Sequence, residues 1–156
     1  MRSLSVFIII ALAFFLLFKF ETVAVLIVEK NGSTIYSKTI TDGKFILTYV
    51  HSVEKTPVYE YYEVLKDNLL HLYKTRYMSL GTGLPSQAEG RFLIKDGVFE
   101  MEISRTFKRI SLRVSPIYGQ GIIFNDGKVM FSDIAQTNDS LEIYSKLSLS
   151  VKPRFK

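Results

Sequence analysis

From Val23 onward, apolar and polar residues alternate with period two, and a turn signal arrives every ten or so residues. Phe45, Leu47 and Tyr49 alternate with Ile46, Thr48 and Val50, the pattern of a strand covered on both faces. Phe99, Met101 and Ile103 alternate with Glu100, Glu102 and Ser104. Ile110, Leu112 and Val114 alternate with Arg109, Ser111 and Arg113, and Leu147, Leu149 and Val151 with Lys146, Ser148 and Ser150. Asn31-Gly32, Asp42-Gly43, Asp96-Gly97 and Asp126-Gly127 supply residues that tolerate the positive backbone angles of tight hairpins, and Asp67-Asn68 is a weaker signal of the same kind. Pro57 to Leu72 is rich in Tyr, Val and Leu and reads as helix or strand. No other part of this body has a helical period. The pattern predicts an all-β domain of about ten antiparallel strands, closed as a barrel or stacked as a sandwich.

The beginning of the chain breaks that pattern. Leu4 to Phe18 reads LSVFIIIALAFFLLF, with Ser5 its only polar residue, behind Met1 and Arg2. Such a run is a signal-peptide core or a transmembrane anchor. Small residues with A-x-A spacing are missing after Leu16, which favours an uncleaved anchor. As a helix, Leu4 to Phe20 is about 25 Å long, slightly short of a hydrocarbon core of about 30 Å, and Lys19 can snorkel toward the headgroups. The expected organisation is therefore a membrane anchor or uncleaved signal over residues 1–21, crossing through 4–20, and one β domain over 22–151. A loose basic tail is expected over 152–156. The positive-inside rule puts the body outside the cytoplasm, single-pass at the cell membrane; cleavage would give an exported soluble form.

Composition sharpens this picture. Part of the 47% hydrophobic content is the N-terminal run, and the rest is two-faced strand patterning. With no cysteine, a disulfide framework, a thiolate metal centre and cysteine catalysis are excluded. The net charge of +5 falls to +4 once Arg2, Lys19 and Glu21 are set aside. The densest basic cluster, Phe107 to Arg113, places its charges on one strand face. Glu100 and Glu102 are expected opposite or diagonal to Arg109 and Arg113, a cross-strand ion pairing that accounts for the cluster without nucleic acid. Anionic headgroups or an acidic partner suit the surplus charge.

The densest run of chemically capable residues is Tyr49 to Glu60, YVHSVEKTPVYE. Thr56-Pro57 sets a non-helical corner, so the chain leaves one strand through His51 and returns through Glu60. This places an imidazole and the carboxyls of Glu54 and Glu60 within side-chain reach. A buried hydrogen-bonded network, a ligand or partner contact, a partial metal site or a general base pair would each use such a group. The spacing matches no zinc motif, so no metal or cofactor is expected. Ser52 points away from His51 on a strand and there is no G-x-S-x-G, which disfavours a serine hydrolase. In a second run, Arg76 to Ser86, Gly81 and Gly83 flank Thr82, so backbone N–H groups can form an anion nest. A simple Gly-Pro turn is the plainer reading. His71 reads as an ordinary strand residue facing away from Leu70 and Leu72.

Taken together, LTYVHSVEKTPVYEYYEV and TRYMSLGTGLPSQAEGRF resemble domain-of-unknown-function family 1850. The first motif maps onto His51, Ser52, Val53, Glu54, Thr56, Pro57, Val58 and Glu60. The second maps onto Ser79, Gly81, Gly83, Leu84 and Pro85, with Thr82 where the family usually has Ala. The resemblance implies a small protein with an N-terminal hydrophobic segment, often encoded beside TAXI-type TRAP transporters, which take up organic acids. It brings no catalytic residues.

Three readings follow. The leading one is a non-enzymatic, membrane-anchored, extracytoplasmic β domain serving such a transporter as an accessory. Its partners would be the permease or the solute receptor, reached through one surface made of His51, Glu54, Glu60, the Gly81–Pro85 loop and Arg76 as counter-charge. The second is a β-barrel binder of a small carboxylate or lipid-like ligand. The third is a hydrolase or isomerase with His51 as base.

Overall fold

The computed structural model describes residues 7, 17–78, 91–117 and 119–154. The predicted strands form, and the ambiguous Pro57–Leu72 region resolves into two of them. In chain order they are β1 (Phe18–Lys30), β2 (Ser33–Ile40), β3 (Lys44–Val50), β4 (Pro57–Val64), β5 (Leu70–Tyr77) and β6 (Phe92–Lys95). They continue with β7 (Val98–Phe107), β8 (Ile110–Arg113), β9 (Gly121–Phe124), β10 (Gly127–Met130) and β11 (Ser140–Pro153). A single-turn helix, α1 (Phe131–Ile134), joins β10 to β11.

The strands form two antiparallel sheets, one of four strands in the order β2-β1-β11-β8 and one of seven in the order β10-β9-β3-β4-β5-β7-β6. Both are open, so the barrel alternative does not hold for the described residues and the sandwich does. Their apolar faces meet in one core that includes Leu26, Val28, Phe45, Tyr62, Leu70, Ile122, Phe131, Leu141 and Ile143. Val58, Tyr77 and Met101, with Tyr49 and Phe99 against them, form a second cluster. The hairpin corners carry the positive angles expected of them, with φ at 51° for Asn31, 67° for Gly43, 53° for Asp96 and 64° for Asn68. Asn68 also ties the sheets together: its carbonyl accepts from Ser145 Oγ at 2.8 Å and its Oδ1 from the Leu147 N–H at 2.6 Å.

The structure revises three expectations. β1 begins at Phe18, inside the predicted 1–21 segment, because Phe18–Thr22 pair with Leu149–Pro153. Residues 4–6 and 8–16 of the predicted anchor lie outside the described residues, and among those described no helix is long and apolar enough to cross a membrane. Lys152 and Pro153, expected in a loose tail, are the last residues of β11. Finally, the Arg109 cluster is ion-paired with other partners than expected. β8 crosses to the small sheet and pairs with β11, so Arg109 meets Glu142 and, at 3.6 Å, Glu29, while Glu100 and Glu102 stay on β7 in the large sheet.

Candidate functional site

The His51 segment is a tight loop whose backbone closes on itself. The His51 N–H donates to the Thr56 carbonyl at 2.9 Å, the Lys55 N–H donates to the His51 carbonyl at 3.0 Å, and Lys55 adopts φ 55°. Pro57 opens β4, a strand position where its missing N–H costs nothing. Ser52 and Val53 are exposed at the tip, Thr56 is half-buried, and Val58 is buried in the second cluster. His51 is buried, and its Nδ1 accepts the Glu54 backbone N–H at 3.1 Å. With that lone pair engaged, the neutral ring carries its proton on Nε2 and acts as a donor, which is the wrong tautomer for a base at Nε2.

Glu60 has a different environment. It is half-buried on the inward side of β4, and its carboxylate accepts from Tyr49 at 3.1 Å and from Tyr62 at 2.8 Å. Burial pushes the Glu60 carboxyl above its ordinary range, against the two hydroxyls that favour its charged form. Burial also pushes both tyrosines above their ordinary value, with the Glu60 charge adding to it.

Arg76 does not join this group. Thr75 is the cross-strand partner of Glu60, and Tyr59 that of Arg76, so Glu60 and Arg76 project from opposite faces of the large sheet. The cause is a β-bulge. Between β5 and β4 the register shifts so that Tyr73 is an extra residue, and between β5 and β7 it shifts again at the same place, with the extra residue on β7. Leu70 and Leu72 point into the core before the bulge, and Thr75 and Tyr77 after it, which leaves Lys74 and Arg76 outside. Ser79, Gly81, Thr82, Gly83, Leu84 and Pro85 lie outside the described residues.

On that outer face Arg76 enters a cavity of about 280 Å³, walled mainly by Ile46, Tyr59, Tyr61, Met78, Val98 and Ile123. It continues past Tyr61 into a depression of about 210 Å³ beside Tyr73 and Asn125, and past Arg76 into one of about 350 Å³ beside Leu93 and Glu100. Arg76 donates to the Tyr61 hydroxyl at 3.3 Å, and its Nε stands 3.4 Å from Glu100. Glu100 is shared with Lys74 at 3.5 Å, and Lys74 lies 4.3 Å above the Tyr61 ring. One carboxylate thus faces two cations, so a positive charge is left over beside an aromatic wall. Met78, at the groove, is the last described residue before the second motif.

The aromatic walls were not among the residues singled out from the sequence. Their signal was present: Tyr59 and Tyr61 are the outward members of a strand whose inward members are Val58, Glu60 and Tyr62. A second cavity, of about 330 Å³, lies between the β8–β9 connection and α1, where the lining Gln120 amide accepts from the Ser115 N–H and donates to the Arg113 carbonyl within that connection. Among the described residues no group of three or more His, Asp or Glu is placed to hold a metal ion.

No curated protein and no solved structure matches the chain. A family model, described as a domain of unknown function, matches residues 45–131, which run from Phe45 in β3 to Phe131 at the start of α1 and contain every residue that lines the cavity of about 280 Å³. That match covers more than half of the chain and both motifs, and the protein belongs to domain-of-unknown-function family 1850 (DUF1850).

Proposed function

We propose that this is a non-enzymatic binding domain that receives a small carboxylate with an apolar body in the outer groove of its large sheet. One observation carries the proposal: Arg76 lies in an aromatic and aliphatic cavity and shares Glu100, its only close carboxylate among the described residues, with Lys74. Guanidinium and carboxylate match as a planar, charge-assisted pair, and the walls offer area to the rest of the ligand. A volume of about 280 Å³ is at the small end for ligand pockets, which suits a small organic acid. The engaged Nδ1 of His51 speaks against the hydrolase or isomerase reading. Service to an organic-acid transporter, with the domain held at the outer face of the cell membrane, is the setting that the family resemblance supports, and it belongs to the same proposal.

The chain has nine Tyr and no Trp, so its intrinsic fluorescence comes from tyrosine, and Tyr59, Tyr61 and Tyr77 line the cavity. Titration with monocarboxylates of increasing apolar size is expected to quench this emission saturably, with affinity rising until the cavity is filled. The matching primary amides bind weakly. Arg76→Gln lowers carboxylate affinity about 10-fold, the worth of one charge-assisted hydrogen bond at a site partly open to water. Equal binding by wild type and Arg76→Gln, or no binding by any acid in the series, would overturn the proposal.

A further inference from the structure

β1 and β11 are longer than the sandwich they belong to. β2 covers β1 only from Ala24 onward, and β8 covers β11 only as far as Ile143. Among the described strands, Phe18–Thr22 and Leu149–Pro153 therefore pair only with each other, as a two-stranded ribbon about 16 Å long at ~3.3 Å per residue. Its faces differ. Phe18, Phe20, Val151 and Leu149 continue the face that Ala24 and Leu26 present to the core, but past the end of the opposing sheet. Leu149 is consequently 67% exposed, Val151 45% and Phe20 38%. The other face carries Lys19, Glu21 and Lys152. Glu21 is paired with Lys152 and stands 3.6 Å from Lys19. Arg154 follows on the same side, its backbone N–H donating to the Leu17 carbonyl at 2.8 Å and its Nε to the Phe18 carbonyl at 3.3 Å. Among the described residues this side thus carries three cations, Lys19, Lys152 and Arg154, and one carboxylate, Glu21.

We infer that this ribbon is a membrane-interface element, which seats its apolar face at the headgroup–acyl boundary of a bilayer and holds anionic headgroups with Lys19, Lys152 and Arg154. Two observations select a bilayer over another occupant. The ribbon issues directly from Leu4–Leu17, a stretch of 14 residues with one polar member. With Phe18–Phe20 taken into β1, that stretch would be about 21 Å long as a helix, well short of a hydrocarbon core of about 30 Å. An apolar surface at its exit makes up the difference, and a basic rim fits the negative potential of anionic lipid. The ribbon lies outside residues 45–131, so it is a property of this chain beyond its family match.

The absence of cysteine permits a clean test on the full chain. Val151→Cys and, as a control on the far edge of the large sheet, Lys128→Cys are each labelled with a nitroxide and bound to phosphatidylcholine vesicles with or without phosphatidylglycerol. The label at 151 is expected to lose severalfold in collision with a water-soluble nickel chelate and to gain with oxygen, while the label at 128 stays in water. Omitting phosphatidylglycerol, or adding Lys152→Gln with Arg154→Gln, reduces that shielding. A label at 151 as open to nickel as the one at 128, on protein that sediments with the vesicles, would retain the anchor and overturn the ribbon's role. Dipolar broadening between labels at 151 would assign the face to a second copy instead, and failure to bind vesicles would also refute the inference.

Discussion

Glu60 shows how one residue can be legible by position and illegible by partner. Its place at the start of a strand after Thr56-Pro57 could be read directly, whereas its neighbours Tyr49 and Tyr62 come from the inward faces of β3 and β4. Its raised pKa sets the sign of a pH effect. The native state holds the Glu60 proton more tightly than the unfolded chain does. The resulting stability is complete below the ordinary value of 4.5 and is lost as pH rises through the raised value. Glu60→Gln stays neutral and keeps an acceptor and a donor for the two hydroxyls. Urea midpoints across that range are expected to fall with pH for the wild type and to fall less for Glu60→Gln. Identical slopes would show that Glu60 does not titrate within it. Gly121 makes a simpler case. It is buried in β9, and a Cβ there would meet the Val129 carbonyl and approach Met130 Cα to 2.9 Å. Both are backbone atoms of the neighbouring strand and cannot swing aside. Gly121→Ala should lower unfolding free energy by about 1–3 kcal/mol, the usual cost of overpacking, as measured by denaturant unfolding.

At the level of elements, strands with regular alternation and Gly-containing turns were readable, because burial of one face writes a period of two into the sequence. β3, β7, β8 and β11 all follow from it, and so do the four Asn-Gly and Asp-Gly corners. The partners of the strands did not follow. Arg109 was assigned the carboxylates of the preceding strand, yet the chain changes sheets between Phe107 and Ile110, which no local pattern marks. The bulge at Tyr73 escaped notice for a related reason. Counting by twos from Leu70 and Leu72 would turn Arg76 into the core, and only the cross-strand register reveals the extra residue. Deleting Tyr73 restores regular alternation and keeps Thr75 inward and Arg76 outward. The variant is expected to retain carboxylate binding, as is Tyr73→Ala, which keeps the bulge. Loss of carboxylate binding in a deletion variant that still folds would refute this assignment of the faces.

Across the whole molecule, the sequence singled out His51, Glu54, Glu60 and Arg76 for one surface, and the structure separates them. His51 and Glu54 close a loop, Glu60 faces inward with its tyrosines, and Arg76 stands on the outer face at the groove. The groove could not be read from motif spacing, since its walls come from β3, β4, β5, β7 and β9 and meet only through the order of the sheet. The sandwich presents two surfaces for which different roles are proposed: a groove whose cavity lies within the family-matched residues, and an amphipathic ribbon outside them. The groove holds the central claim. Its most direct test is a backbone amide spectrum of the labelled chain, recorded while the tightest-binding monocarboxylate is titrated in. The amides of Tyr59, Tyr61, Arg76 and Met78 are predicted to shift together and saturably, with those of Leu26 and Ile143 in the core unmoved. Saturable shifts confined to residues away from the groove, or the same groove shifts in Arg76→Gln at the same ligand concentrations, would contradict it.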